Sequence, residues 1–295
     1  MPLLSAPVEV EPMGWLQRAN LTRLARRYPL IFAGAGLLAV LIILALAAPF
    51  YAGDPLSMDP FDRLQPPSAK LRFGSDNLGR DVFARTMFGA RISLMVGLMS
   101  AASAALGGLL IGVIAGYNRS FDNVAMRIMD GLMAIPTILL AIALISLAGS
   151  GIGIGILIIA ITVPSIPSVT RLVRSVVLSV RTRPYVEAAL CGGARLPKVL
   201  WRHILPSTIP PLVVQSANLC ASAILTEAGL SFLGVGVPTE IPSWGNMISS
   251  SSLYLAVAPL TVFAPGICLV ITVLAVNLLG DGLRDLFDPR SKVRA

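Results

Sequence analysis

Long apolar runs separated by short polar stretches set the pattern of this chain. Runs at 31–51, 92–116, 152–173, 208–230 and 258–280 are built mainly from Leu, Ile, Val, Ala and Gly, and a sixth at 124–148 differs in opening on Arg127 and Asp130. At ~1.5 Å rise per residue, each is long enough to cross a hydrocarbon core of ~30 Å. Backbone polar groups in lipid must be satisfied within the segment, and a barrel would show alternation over strands of about ten residues. The pattern predicts an all-α integral membrane protein with six transmembrane helices. Pro136, Pro164, Pro167, Pro211 and Pro265 fall inside runs or at their edges. A proline kinks a lone helix, and a bundle can re-satisfy the carbonyls it frees. Gly108 and Gly112, at GxxxG spacing, predict close helix approach.

The polar intervals divide the remainder. Residues 1–30 form an N-terminal tail and a basic surface helix, with Leu16, Leu21 and Leu24 among Arg18, Arg23, Arg26 and Arg27 over Trp15 to Tyr28. Ala45-Leu46-Ala47 is similar to a signal-peptidase site, yet the run exceeds the ~7–15 residues of a signal h-region and starts late, so 31–51 reads as an uncleaved span. A long loop, 52–91, precedes the core at 92–290, and 291–295 form a tail. Within the core lies the small-residue stretch YVEAALCGGARLPKVLWRHILP, Tyr185 to Pro206. Pro184 suits a first helical position, because proline has no N–H to lose there. Gly192-Gly193 breaks that helix, and Leu196-Pro197 starts another expected to close at Leu205-Pro206. The product, at 184–206, is a short helix–turn–helix on the membrane surface whose Ala188 and Ala189 leave a face smooth enough for another protein.

Composition supports the membrane reading: hydrophobic residues make up 55% and charged residues 13% of 295, and mean hydropathy is +0.81. The formal charge of +8 does not point to nucleic acid, because the basic residues are scattered between apolar runs. Cys191, Cys220 and Cys268 are odd in number and have no CxxC spacing, so they imply neither a disulfide framework nor a metal site. With both termini cytoplasmic, 17 of the 23 Lys and Arg lie inside, in agreement with the positive-inside rule. The other six all fall between Arg63 and Arg91, in tension with it.

Four stretches carry a family resemblance. Tyr185, Glu187, Ala188, Ala189, Gly193, Ala194, Arg195, His203, Leu205 and Pro206 resemble the EAA loop of bacterial ABC importer permeases, which docks in a groove on the ATP-hydrolysing subunit. His203 stands where a hydrophobic residue is usual, and peptide-type permeases often read RHILP there. Phe73 to Phe83, FGSDNLGRDVF, is similar to the FGTDxxGRDvf signature of the C-type permease of dipeptide, oligopeptide and nickel importers. Glu227 to Gly236 with Pro242-Ser243-Trp244-Gly245 resembles E-x-x-LSFLGxG and PSWG. Asn277 to Asp285 with Asp288-Pro289-Arg290 resembles the NLLGDGLRD..DPR tail. A tryptophan common in relatives near the middle of span four is absent, replaced by Pro164-Ser165-Ile166-Pro167. The resemblance covers residues 70 to 290 and implies the type I ABC importer permease fold. It further implies a homologous permease as heterodimer partner, two ATPase subunits or one fused ATPase, and an extracytoplasmic substrate-binding protein. Membrane lipid surrounds the chain, and no nucleic acid is expected. ATP and Mg belong to the partners, with no cofactor or metal in this chain. The implied location is the bacterial inner membrane. The cargo is expected to be dipeptides or oligopeptides, with nickel chelates or haem as alternatives on the same scaffold.

Individual side chains keep a structural reading beside a functional one. Asp76, Arg80 and Asp81 can brace the loop around turns at Gly74 and Gly79, or contact cargo or binding protein. Glu227, with Ser231 and Phe232 beyond it, reaches water from its helix end, forms an ion pair, or acts at a gate. Trp244 suits a membrane interface. Arg127 and Asp130 sit three apart and are expected to pair. No G-x-x-x-x-G-K-[ST] occurs and His203 has no nucleophile or orienter nearby in sequence, so the chain reads as a non-catalytic subunit. An ion-driven secondary transporter would need mid-span ionisable groups at an inverted repeat, and none is evident.

Overall fold

The structure is a computed structural model, which describes residues 27–149 and 153–287. The expected basic helix before Arg27, the Asp288-Pro289-Arg290 end of the tail signature and the 291–295 tail lie outside them. Ten α-helices organise the described residues: α1 Pro29–Tyr51, α2 Val82–Tyr117, α3 Arg119–Met133, α4 Thr137–Leu147, α5 Ile154–Arg181, α6 Pro184–Cys191, α7 Leu196–Val199, α8 Leu205–Phe232, α9 Trp244–Ser251 and α10 Leu260–Phe287. Five helices are long and apolar enough to cross a membrane, or six if the bent pair α3 and α4 counts as one span.

That pair occupies the span expected at 124–148, divided into two helices. α3 and α4 meet at 96° around Pro136. A proline disfavours helical backbone in the residue before it, so the run breaks there instead of kinking. Other boundaries move for equally local reasons. α2 begins at Val82, ten residues earlier than the apolar run, because the Asp81 carboxylate accepts from the Phe83 N–H at 2.8 Å and caps it. α5 runs on to Arg181 because Arg171 and Arg174 find carboxylates on α3. The second hairpin helix does not close at Leu205-Pro206. A π-turn at Leu200–Ile204 joins α7 to α8, with the Leu205 N–H donating to the Leu200 carbonyl. The wider turn accommodates Pro206, which has no N–H for an ordinary helical ladder.

At the centre, α2 and α5 run parallel along a seam of glycines facing valines. A Cβ at Gly108 would collide with Val169. At Gly112 it would fall 2.8 Å from both the Thr170 carbonyl oxygen and Val173 Cβ, and at Gly116 2.5 Å from Val177. The expected GxxxG approach is therefore real and extends to a third glycine. The Arg181 guanidinium donates to the Gly116 carbonyl at 2.8 Å, tying the ends of the two helices together. α8 packs antiparallel to α2, with Gly97 against Ile224 and Ser93 against Glu227. α1 lies outside this core, antiparallel to α10, where Gly34 approaches the backbone at Ala275 and Leu279.

Candidate functional site

Two clusters concentrate the chemistry, one at each end of the bundle. The first is the hairpin joining α5 to α8. α6 starts on Pro184 and ends where Gly193 adopts φ +78°, a left-handed conformation that glycine adopts without steric cost. The Gly193 N–H donates to Leu190 O and the Ala194 N–H to Ala189 O, each at 3.0 Å, closing the helix end. Val186, Val199 and Ile204 are buried against Val173, Val177 and Val180 of α5, with Val113 and Tyr117 of α2 alongside. The opposite face is uncovered: Tyr185, Glu187, Ala188, Leu190 and Leu196 are exposed, and Trp201 is 75% exposed. His203 packs its ring 5.8 Å from that of Tyr185. Ala189 and Ala194 are half-buried, Arg195 caps α7, and Leu205 and Pro206 open α8. The hairpin is thus clamped by three aliphatic side chains and presents small and apolar groups outward.

Trp201 escaped the motif reading. Its signal was its place in the helix turn, out of phase with the buried Val199 and Ile204.

At the other end, the 52–91 loop folds on itself. Buried Asp76 accepts from the Leu78 N–H at 2.8 Å, the Arg80 N–H at 2.9 Å and Arg80 Nε at 2.7 Å, with Arg85 Nε at 3.8 Å, and both arginines are buried with it. Gly79 has φ +77°, and a Cβ there would strike the Asp59 carbonyl. Asp81 caps α2, and partial burial raises its carboxyl above the usual range against the pull of its backbone N–H partners. Each of the six cations from Arg63 to Arg91 has a local partner. Arg63 donates to Asn77 O, Lys70 pairs with Asp62, Arg80 and Arg85 serve Asp76, and Arg72 and Arg91 lie over the Phe83 and Phe88 rings. Four of the charges that strain the positive-inside count, Arg63, Lys70, Arg80 and Arg85, are thus held by acceptors within the folded 52–91 segment.

Glu227 does not reach water: it is fully buried between α8, α2 and the segment before α9. Its carboxylate accepts from Ser231 Oγ at 2.8 Å and Ser93 Oγ at 3.0 Å, and Ser243 also hydrogen-bonds to it. No cation pairs with it among the described residues. Trp244 is not at an interface but fully buried, its indole N–H donating to the Thr86 carbonyl at 3.0 Å. Gly245 approaches Ala228, where a Cβ would sit 2.7 Å from backbone, and Phe232 is half exposed. The E-x-x-LSFLGxG and PSWG stretches are therefore one packed unit, and Thr86 and Ser93 of α2 complete it.

Asp130 is paired, but with Arg171 of α5 at 2.5 Å; Arg127 makes no ion pair among the described residues. A second bridge, Arg174 to Asp122, doubles the link between α3 and α5. A partner 41 residues away in sequence displaced the local i,i+3 pairing of Asp130.

Residues 108–293 match the family described as "binding-protein-dependent transport system inner membrane component". A probable peptide ABC transporter permease protein of Sinorhizobium fredii is 75% identical over 95% of each chain. A dipeptide transport system permease protein of Alkalihalophilus pseudofirmus is 39% identical over 90% of this chain and 88% of its own length. A glutathione transport system permease protein of Pectobacterium atrosepticum is also 39% identical, over 92% and 90%. Among solved structures, an inward-facing form of the MetNI methionine ABC transporter superposes with a TM-score of 0.57 over 68% of this chain and 95% of that one, at 21% identity.

Proposed function

The chain belongs to the binding-protein-dependent transport system inner membrane components, the permeases of ABC importers, and from that premise we propose that it carries peptides. It forms half of a translocation path with a homologous permease. Two ATPase subunits, or one fused ATPase, bind ATP and Mg beneath it, and an external binding protein delivers cargo. The names of relatives sharing 39–75% identity support the peptide cargo. Both termini face the cytoplasm with the hairpin.

One observation carries the coupling role: the 184–206 hairpin is fastened by Val186, Val199 and Ile204, yet exposes Tyr185, Ala188, Leu190, Leu196 and Trp201, with nothing among the described residues to cover them. That is the arrangement of an interface residue set, an aromatic anchor with small neighbours. When ATP closes the ATPase pair, the hairpin moves with it, and rigid burial against α5 passes the motion into the bundle. ATP shifts the outward and inward states only through geometry that differs between them. The α8 stripe of Gln215, Asn218 and Ser222 lies on one helix face, and Asn218 and Ser222 are exposed. Such groups are costly in lipid and suit the wall of a wet path.

The test uses Trp201→Ala, Glu187→Lys and Gly193→Asp in the full assembly. Each is expected to leave insertion unchanged and to lower both ATPase co-purification and labelled-dipeptide uptake by about tenfold or more. Normal uptake in all three would overturn the coupling role. Intact ATPase capture without dipeptide uptake in the wild type would overturn the cargo alone.

A further inference from the structure

A cavity of about 840 Å³ lies beside the second cluster, apart from the groups that hydrogen-bond around Asp76 and Glu227. It opens where the end of α1, the loop 53–56, α2 at 88–95 and the loop 240–242 meet, at the end of the bundle opposite the hairpin. Pro49, Leu56, Phe88, Ile92, Met95 and Ile241 make most of its wall apolar. Three charged side chains share it: Asp54, Arg91 and Glu240. All three are exposed, and among the described residues none of them makes an ion pair. One Asp54 oxygen accepts from the Leu56 N–H at 2.9 Å, and the Arg91 guanidinium lies 5.9 Å from the Phe88 ring centre.

The depth of these groups is ordered. α1 spans ~34 Å at ~1.5 Å per residue and ends at Tyr51, just before Asp54. On α2, Met95 lies one turn farther into the bundle than Arg91. The charged rim therefore stands at the level where a membrane's headgroups begin, and the apolar wall at the level of the acyl chains. Lateral access exists as well: α1 buries only Gly34, Ala45 and Ala48, and Ile43, Leu46 and Phe50 are exposed along it.

We propose that this cavity holds one phospholipid with a phosphoethanolamine headgroup. Arg91 takes the phosphate, and the carboxylates of Asp54 and Glu240 take the ammonium. Ile92 and Met95 line the start of the acyl chains. The complement of one guanidinium and two carboxylates is an anion joined to a hydrogen-bond-donating cation. Phosphatidylglycerol satisfies the first and leaves the carboxylates facing no positive charge. A soluble zwitterion such as a dipeptide has both charges but no chains for the apolar wall. The inference does not depend on which cargo the importer carries.

The experiment reconstitutes the full assembly in nanodiscs of equimolar phosphatidylethanolamine and phosphatidylglycerol, exchanges it into mild detergent, and counts retained lipid by native mass spectrometry. The wild type is expected to keep about one phosphatidylethanolamine per chain, in preference to phosphatidylglycerol. Arg91→Glu is expected to lower that retention about tenfold, as loss and reversal of a charge-assisted contact implies. Asp54→Asn with Glu240→Gln is expected to keep a lipid but lose the headgroup preference. Met95→Trp fills the apolar wall without altering charge and is expected to expel the lipid, which guards against an Arg91 variant that fails to assemble. Unchanged retention in Met95→Trp, equal retention of both lipids by the wild type, or displacement by excess Ala-Phe would each overturn the proposal.

Discussion

Replacing Glu227 tests whether the buried unit of α8, α2 and the α9 entrance is held by hydrogen bonding or by charge. Three hydroxyls meet at this carboxylate, from Ser231 at 2.8 Å, Ser93 at 3.0 Å and Ser243. In Glu227→Ala all three lose their acceptor, and a buried polar group left unsatisfied costs about 1–3 kcal/mol. Ser231 also accepts from the Val237 N–H and Ser243 from the Asn246 N–H, so part of each hydroxyl's bonding survives. Taking the low end for each and adding the cavity left by the side chain gives about 3–5 kcal/mol. Glu227→Gln keeps the volume and one acceptor, and hydroxyls that rotate can accept from its amide, so its cost stays below about 1 kcal/mol. Thermal unfolding of the purified assembly in detergent reads both, with a fall of roughly 10 °C expected for alanine and little change for glutamine. An alanine variant that melts with the wild type refutes the hydrogen-bond account. A glutamine variant as damaged as alanine refutes it differently, by showing that the negative charge itself is required.

Gly112→Leu drives a side chain into the Thr170 carbonyl and Val173, so overpacking of about 1–3 kcal/mol or loss of assembly is expected in the same melt, and Gly36→Leu, with open space around it, is the control. Asp81→Asn probes pH dependence. The raised carboxyl pKa means that the folded state holds its proton to higher pH than the unfolded one, so this group's contribution to stability falls as pH rises through that range. Asparagine keeps the cap and removes the titration, so the wild-type decline as pH rises above the ordinary aspartate range should flatten; an unchanged profile would refute the assignment. For the α3–α5 link, Arg174→Ala should destabilise more than Arg171→Ala, because the Asp130 pair is about half exposed and worth less than about 1 kcal/mol. Arg127→Ala should lie within about 0.5 kcal/mol of the wild type, and a larger loss would restore the pairing of Arg127 with Asp130.

Apolar run length was enough to locate five spanning helices, since nothing else in a chain produces some twenty apolar residues in succession. The glycine seam was half visible: Gly108 and Gly112 stood out by spacing, but their partners Val169 and Val173 are ordinary residues of an apolar run. Helices extend beyond the apolar runs where polar residues prolong them, as at Asp81 and Arg181, because hydropathy registers solvent preference and not capping. The hairpin's local turns were legible from Pro184 and Gly193, whose backbone demands are local. Glu227 and Trp244 were recognisable as members of a signature, but not as buried, because Thr86 and Ser93 come from elsewhere in the chain. Long-range ion pairs such as Arg174 with Asp122 leave no periodic trace.

The glycine–valine seam has a mechanical consequence. α2 is one unbroken rod of 36 residues, ~54 Å long, rooted at one tip beside the Asp81 cap and tied at the other to Arg181. Along the seam only the short valine side chains separate the two backbones, so α2 and α5 are placed to move as one body. Compliance is left to the elbow at Pro136, whose surroundings from 133 to 139 are exposed among the described residues. A displacement applied at one mouth of the bundle is thus delivered at the other with its amplitude preserved, and the elbow takes up the misfit.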